Sequence, residues 1–515
     1  MTQAIGRLSR LAQCAMRGAA VAGVAVQAAA TMAALAGAAV MAMPNAAAAQ
    51  IPVAEYATRR AALAAKLDSG VVLAFGRREP VNHWPPFYQN PHFRYLTGFL
   101  ESNAAFVMVK RGGAVTSTLF VEKPNPRTAL YLGDRKTPQE AAKELGLAVR
   151  YTEDLQAVAD SLARTRLPFY SIADAQSAEF EGRDTLSFGR NFVADFQLRN
   201  AGVKVADLTR AVEQLRARKS DAELAIITRA AEISAKAHEE VMRTIRPGMK
   251  ESEIQAVMEA TYRKLGADGP GYTSIVGAGG NSTILHWPAS FREAKGGEVV
   301  LMDVAAYYDG YSADVTRTLP VDGTYTPEAR TVYQIVLDAQ KAAERQVRPG
   351  VARNVPTDSA YVVLKAGLTS LNLIESPTAS FDAPPGLCPG AWANKDGTCP
   401  QWYLYIYHGF IHGIGLDVHD PGQFSNVPPH QFQDGDAFTI EPGLYVRENV
   451  FKDLPDTPRN RAMIAHAKAA AVKYRNTGVR IEDDYILQKG KLTRISLAPR
   501  EISEIEALRK KAVVQ

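Results

Sequence analysis

Cysteine is nearly absent from the chain, three among 515 residues. A structural zinc site built on thiolates needs more soft ligands than that at close spacing, so the scarcity argues against one. Strong charge is missing too. Lys and Arg number 59 against 54 Asp and Glu, a net of +5, which gives no electrostatic reason to expect a nucleic-acid partner. No internal repeat or extended low-complexity tract follows the first 49 residues, which argues against solenoid architectures. Histidine is scarce as well, nine in all, so a cluster of them carries information.

What is present begins with a distinct amino terminus. Residues 1–49 hold Arg7, Arg10 and Arg17 with no acidic residue, then an Ala/Gly/Val/Met run from Gly18 to Met43, then Pro44 and the small residues Ala46 to Ala49. That is the layout of a secretory signal, cleaved near Ala49, and it places the mature protein in the periplasm or outside the cell. The apolar run is also long enough to span a bilayer as an uncleaved anchor. Cleavage would remove the three arginines and take the formal charge from +5 to +2. It would also remove Cys14 and leave Cys388 and Cys399 in the loop PPGLCPGAWANKDGTCPQW, where an isolated pair in an oxidising compartment reads as a disulfide.

A chain of this length with 46% apolar and 22% charged residues suits two globular domains. Residues 50–200 read as an α/β domain: a helix in EYATRRAALAAKL, then short strands in SGVVLAFG, AAFVMVKRGG and AVTSTLFVEK, then a helix in KTPQEAAKELG. Between the strands, HWPPFYQNPHFRYLTGF is crowded with aromatics and prolines and reads as an ordered surface loop or an interface element. Residues 205–246 form the longest helical pattern, broken where Ser220 and Asp221 cap a second helix. The second domain, 201–515, then alternates helices with strand-rich, glycine-punctuated segments.

The chemistry gathers in that second domain. Residues Val299 to Pro320, VVLMDVAAYYDGYSADVTRTLP, form two apolar strands about the turn signal Asp309-Gly310. A two-residue loop pairs position 305 with 314 and makes Asp303 and Asp314 diagonal neighbours on one face. A shifted register sets them directly opposite, with Cβ atoms roughly 5 Å apart. Two such carboxylates are either solvated or gathered around a cation.

Three later segments add candidates. YHGFIHGIGLDVHDPG holds His408, His412 and His419 among glycines that break a helix. In DGDAFTIEPGLYV a strand ends at Glu441, and a buried carboxylate there needs a partner. In TGVRIEDDYIL, Arg480, Glu482 and Asp484 share one face by alternation. Each of these segments also reads as an edge strand or loop with its polar face in water. Taken together, Asp303, Asp314, His412, Glu441 and Glu482 make an oxygen-rich ligand set with one nitrogen. It suits a pair of Mn, Co, Fe or Zn ions and a hydrolase without a Ser or Cys nucleophile.

In this order, D-x10-D, H, E, E, the residues resemble the pita-bread family of dinuclear metallopeptidases. HGFIHGIGLDVHD, TIEPGLY, VRIEDD and SIVGAGGNSTILHW resemble the branch that contains aminopeptidase P and prolidase, and FYQNPHFRYLTGF is similar to the amino-terminal domain of those enzymes. The resemblance covers nearly all of the chain after the leader. It implies an amino-terminal α/β domain followed by a pita-bread α+β catalytic domain, and two divalent ions per subunit, manganese first among the candidates.

Carried onto this sequence, Asp303 would chelate one ion, Asp314 and Glu482 would bridge both, and His412 and Glu441 would hold the other. Glu441 would shuttle the proton of a bridging hydroxide, and His286 and His419 would line the substrate site, with His419 contacting the substrate or the transition state. His408 and Arg480 would lie in the proline pocket or just behind the contacting residues, with Tyr445 near that pocket. The implied substrates are peptides with proline at the second position. Prolidase activity on dipeptides and a catalytically inactive, peptide-binding homologue are the alternatives. The resemblance also implies a homodimer or homotetramer, with the aromatic segment from His83 to Phe99 as a contact. The Cys-bearing stretch 381–402 and the stretch between EPGLY and VRIEDD are longer than simple strand connections.

Overall fold

The central strand of the amino-terminal sheet, Gly70–Phe75, is buried along its whole length, as its unbroken apolar run GVVLAF demands. The computed structural model describes residues 50–79, 87–173, 187–421, 424 and 428–512. The leader expected over 1–49 lies outside the described residues, as do His83 and Trp84 of the aromatic segment. From Gln50 onward the chain forms one compact unit.

Six strands build the amino-terminal sheet in the spatial order 148–151, 114–121, 105–111, 70–75, 169–171 and 205–207. The pairings are mixed in sense: Gly70–Phe75 runs antiparallel to Ala105–Arg111 and parallel to Phe169–Ser171. Val71, Leu73, Phe75, Phe120, Phe169 and Phe196 fill the core on one side. The helix Pro138–Leu145 starts at a capping box in which Thr137 and Glu140 exchange hydrogen bonds, the arrangement its KTPQE sequence encodes.

Two expectations change. Val205–Asp207, the start of the long helical pattern, is a strand paired in parallel with Phe169–Ser171, because a sheet edge outcompetes the helical propensity of three residues. The helices proper are Thr209–Arg216 and Asp221–Thr244, the second capped by Ser220 with Glu223 reciprocating. The aromatic segment does not remain a loop. Pro91–Thr97 is a short helix capped by Asn90, with Phe93, Tyr95 and Leu96 buried, and it faces inward: Arg94 Nη2 donates to the Asp309 carbonyl (2.8 Å) and carboxylate (2.7 Å).

The second half is helix and strand mixed. Val299–Asp303 pairs antiparallel with Thr316–Pro320 on one side and Ile275–Ala278 on the other. Asp436–Ile440 pairs with Asp483–Gln488, and Gly443–Val446 pairs with Thr477–Arg480. The helices Asp221–Thr244, Glu251–Lys264, Pro327–Glu344, Val355–Ser370 and Pro458–Tyr474 surround these strands, and one apolar core joins both layers through Val300, Met302, Val332, Val336, Phe438 and Ile440. The long stretch after EPGLY is explained by the helix Pro458–Tyr474, capped by Thr457. Cys388 and Cys399 are joined in a disulfide with Cα atoms 6.0 Å apart. Among the described residues no helix is long and apolar enough to cross a membrane.

Candidate metal centre

The hairpin adopts the two-residue register. Tyr308 pairs with Tyr311 across Asp309 and Gly310, and Asp303 pairs with Thr316, so the register that would set Asp303 directly opposite Asp314 does not occur. Both turn residues have positive φ, 43° and 80°, as the tight two-residue turns of hairpins require. Asp303 and Asp314 therefore stand as diagonal neighbours. The hydroxyl of Tyr272 lies 2.6 Å from an oxygen of each.

Glu441 follows the last residue of Asp436–Ile440, and Glu482 lies in the two-residue break between Thr477–Arg480 and Asp483–Gln488. The polar face of this last segment is not in water: Arg480 is 3% exposed and Glu482 1%. His412 comes from the glycine-rich segment, which runs as loop. Its Nε2 lies 3.4 Å from Asp314, 3.4 Å from Glu441 and 3.7 Å from Glu482. One cavity of about 270 Å³ is lined by Asp303, Asp314, His412, Glu441 and Glu482 together with Leu285, His286, His408, Gly409, Ile411, His419 and Arg480. Of the site residues expected from sequence, Tyr445 alone stays out of the lining. Its hydroxyl donates to His408 Nε2 (2.9 Å) and accepts from Arg480 Nη1 (2.9 Å). Gly443 makes this packing possible, because a Cβ there would fall 2.4 Å from the Tyr445 hydroxyl and 2.9 Å from His408.

The electrostatics describe a site built for cations. Burial raises the Asp314 carboxyl well above the usual carboxylate range, with the charges of Glu482 and Asp303 adding to it. Glu441 is raised by burial and then by Glu482. Burial works against the Asp303 carboxylate as well, but Arg480 and Tyr272 outweigh it and hold that group below its ordinary value. Burial alone would lower His412; hydrogen bonding to Asp314 and Glu482 overrides this and raises it well above its usual value.

Two atoms test whether a divalent ion fits. Glu482 Oε1 is buried with no hydrogen-bond partner. His412 Nδ1 donates to the Gly413 carbonyl (3.1 Å), which turns the lone pair of Nε2 toward three carboxylates. A divalent cation satisfies both atoms and screens the carboxylates from one another. Asp314, His412 and Glu482 can place one ligand atom each within 4.8 Å of one another.

Two of the other histidines lining the cavity, His408 and His419, are held neutral. Burial and then the Arg480 charge hold His408 down to about 3, and burial and then His412 hold His419 down to about 4. The His419 ring lies edge-on to His412, centroids 4.3 Å apart.

Several contributors escaped the sequence reading. Tyr272 sits in an irregular stretch with no periodicity to flag it. Thr316 donates to Glu482 Oε2 (2.7 Å) and accepts from Arg480 Nε (3.2 Å); it was discoverable, since two residues after Asp314 on a strand is the same face. Asp484, which alternation already places on the face of Glu482, accepts from the Asp314 backbone N–H (3.1 Å).

Comparisons with known proteins agree over most of the chain. The model of metallopeptidase family M24 matches residues 225–489, and that of the aminopeptidase P N-terminal domain matches residues 56–168. An Escherichia coli protein named Xaa-Pro aminopeptidase is 29% identical over 462 residues, covering 88% of this chain and 97% of its own. A Haemophilus influenzae protein of the same name is 27% identical, with 89% and 98% covered. Among solved structures, the Pseudomonas aeruginosa aminopeptidase PepP superimposes with a TM-score of 0.72 at 28% identity, covering 90% of this chain and 100% of that one. Aminopeptidase P from E. coli with the inhibitor Pro-Leu gives 0.72 at 27% identity, with the same coverage.

Proposed function

The chain belongs to metallopeptidase family M24, its peptidase domain preceded by an aminopeptidase P N-terminal domain, and from that premise we propose that it removes the first residue of peptides whose second residue is proline. The observation that carries this reading is the convergence of Asp303, Asp314, His412, Glu441 and Glu482 on one cavity that His286, His408 and His419 also line. The relatives named above are Xaa-Pro aminopeptidases over nearly their whole length, which supports the specificity.

The family is one of divalent-metal enzymes. We propose two divalent ions: Asp303 would supply a ligand to one, His412 and Glu441 to the other, and Asp314 and Glu482 would serve the pair. Bound divalent ions lower the pKa of a water molecule to about 7 and polarise the scissile carbonyl.

The chain's own residues supply the remainder. Glu441, which lines the cavity beside His412, takes up and returns the proton. His419, neutral above about 4, donates an N–H to the oxyanion that develops at the carbonyl. His286 lines the same cavity beside Leu285 and orients the substrate backbone. His408, held by Tyr445, forms with Arg480 a wall against which the proline ring packs. Proline has no amide hydrogen and a fixed φ, so a site that grips an extended backbone through its N–H groups loses a contact there. A site that grips the free amino terminus and the ring does not.

The measurement that tests this compares release of the first residue from an Xaa-Pro dipeptide and from an Xaa-Pro-Pro tripeptide by the metal-loaded enzyme. Cleavage of the tripeptide is expected. Turnover confined to the dipeptide makes the protein a prolidase, and failure on both, with no divalent metal bound, makes it a peptide-binding homologue. Export to an oxidising compartment completes the proposal, supported by the arginine-bearing apolar leader and the Cys388–Cys399 disulfide.

A further inference from the structure

Glu251 opens the helix Glu251–Lys264 and is completely buried, although it lines no part of the cavity. Its carboxylate is a hub for hydrogen-bond donors from one loop. Oε1 accepts from the Ala278 N–H (2.8 Å) and from Asn281 Nδ2 (2.8 Å). Oε2 accepts from the Trp287 indole N–H (3.0 Å), from the Ser290 N–H (3.2 Å) and from the Ser290 hydroxyl. The backbone reinforces the grip, since Glu251 N–H donates to the Arg292 carbonyl (3.0 Å) and Ser252 N–H to that of Ser290 (2.9 Å).

One carboxylate thus closes both ends of the stretch 278–290. The middle of that stretch brings Leu285 and His286 to the cavity wall. Other hydrogen bonds reach its first half, from the Tyr407 hydroxyl to the Thr283 carbonyl (2.6 Å) and from the Gly478 N–H to Ser282 Oγ (2.9 Å). Among the described residues, however, no strand pairing reaches 279–290 apart from the bridge between Ile275 and Pro288, so the half that carries His286 and Trp287 leans on Glu251. Trp287 follows His286 directly, so fixing its indole fixes the direction in which the imidazole leaves the backbone. A buried carboxylate suits this task because its two oxygens accept several donors at once, and donors facing a charged acceptor hold it tightly. The first turn of a helix, where the dipole favours negative charge, is a suitable place for it.

We propose that Glu251 is a positioning residue for the reaction, acting through His286: it sets the imidazole against the substrate without touching substrate or metal. The inference rests on the reading of His286 as a substrate-facing group.

The test is a double-mutant cycle on the metal-loaded enzyme, with kcat/KM for an Xaa-Pro tripeptide and bound metal as readouts. Glu251→Gln turns an amide N–H₂ toward one pair of donors and should lower kcat/KM about tenfold or more through misplacement of a contacting group, with metal content unchanged. In the His286→Ala background the same change should lower kcat/KM less than about twofold, because the group it positions is gone. Trp287→Phe, which removes a single donor, repeats the cycle in milder form and serves alone if Glu251→Gln does not fold. Equal losses in the two backgrounds, or metal loss in Glu251→Gln, overturn the proposal. If His286→Ala itself leaves kcat/KM unchanged, the reading of His286 fails, and this inference with it.

Discussion

The two walls of the cavity are built by opposite means. Asp303, Glu441 and Glu482 stand at strand ends and Asp314 beside a hairpin ladder, each within two residues of backbone pairing. His286, His408, His412 and His419 come from stretches outside the named strands, touched only by isolated bridges, Ile275 with Pro288 and Gly413 with Phe438, and by the bond from Thr439 N–H to the His412 carbonyl (2.8 Å). The oxygen ligands therefore inherit their spacing from the sheet. Two of the imidazoles take theirs from side-chain props, His408 from Tyr445 and His286 from Glu251, while His412 is tied through its carbonyl to the strand Asp436–Ile440. A sheet register is hard to shift without refolding, whereas a prop can be altered one hydrogen bond at a time. Metal binding and substrate handling should then respond separately to mutation.

The largest effect comes from the two residues at which the walls meet. Glu482→Ala and His412→Ala should each reduce activity to background, and metal analysis of the purified variants should show the ion lost. His419→Ala should slow turnover by about 10²–10³-fold through loss of an oxyanion donor, with metal content intact. Equal metal loss in all three variants would erase the distinction between the walls. A smaller effect sharpens it from the other direction. Thr316→Val removes the hydroxyl that donates to Glu482 Oε2 and should weaken metal affinity about 10–100-fold, as loss of a ligand's hydrogen-bond partner does, while KM at saturating metal stays near its original value.

That division also marks what could be read before any coordinates. The strand-borne carboxylates announce themselves: Asp303 and Asp314 flank an Asp-Gly turn in alternating apolar sequence, and Glu441 precedes a Pro-Gly break. Period-two alternation is local, so the sequence displays it. Local pattern also exposed the other candidates, His412 by the cluster of histidines and the main helices by their own period, while the two-residue turn was one of two registers the hairpin left open. The props were not. Glu251 lies 35 positions before His286 in a helix start that reads as an ordinary acidic first turn, and Tyr272 meets its two aspartates from an irregular stretch. Contacts between segments distant in sequence leave no periodic trace in either one. The same reason hid the helix Pro91–Thr97, whose Arg94 finds its partner at Asp309, and the strand Val205–Asp207, which forms only because the edge of Phe169–Ser171 is there to receive it.

One histidine reverses the pattern and gives the finest test. His238, on the helix Asp221–Thr244, is fully buried beneath the strand-borne wall. Its Nε2–H is shared by the carbonyls of Val304 and Val315, 3.1 Å from each, beside the bond from Val304 N–H to the Val315 carbonyl (3.2 Å) that continues the pairing between the two aspartates. Nδ1 has no hydrogen-bond partner, so a second proton would be buried without an acceptor. Burial, and then the charge of Arg317, hold this imidazole down to about 3 from an ordinary 6.5, against weaker opposing pulls from the two carbonyls and from Asp303.

Between those values the unfolded chain takes up a proton that the folded chain refuses. The contribution of His238 is therefore intact above about pH 6.5 and declines as the pH falls through that window, by about 2 kcal/mol at pH 5. His238→Gln keeps an N–H donor for the two carbonyls and cannot titrate. Urea unfolding of both proteins at pH 7 and pH 5, with metal and without, should show the wild type losing more stability on acidification than the variant. The nearby carboxyls titrate in both proteins and drop out of that difference. If the difference between the two proteins is the same at both pH values, the hairpin does not depend on a neutral imidazole beneath it, and the ladder alone holds Asp303 and Asp314 in place.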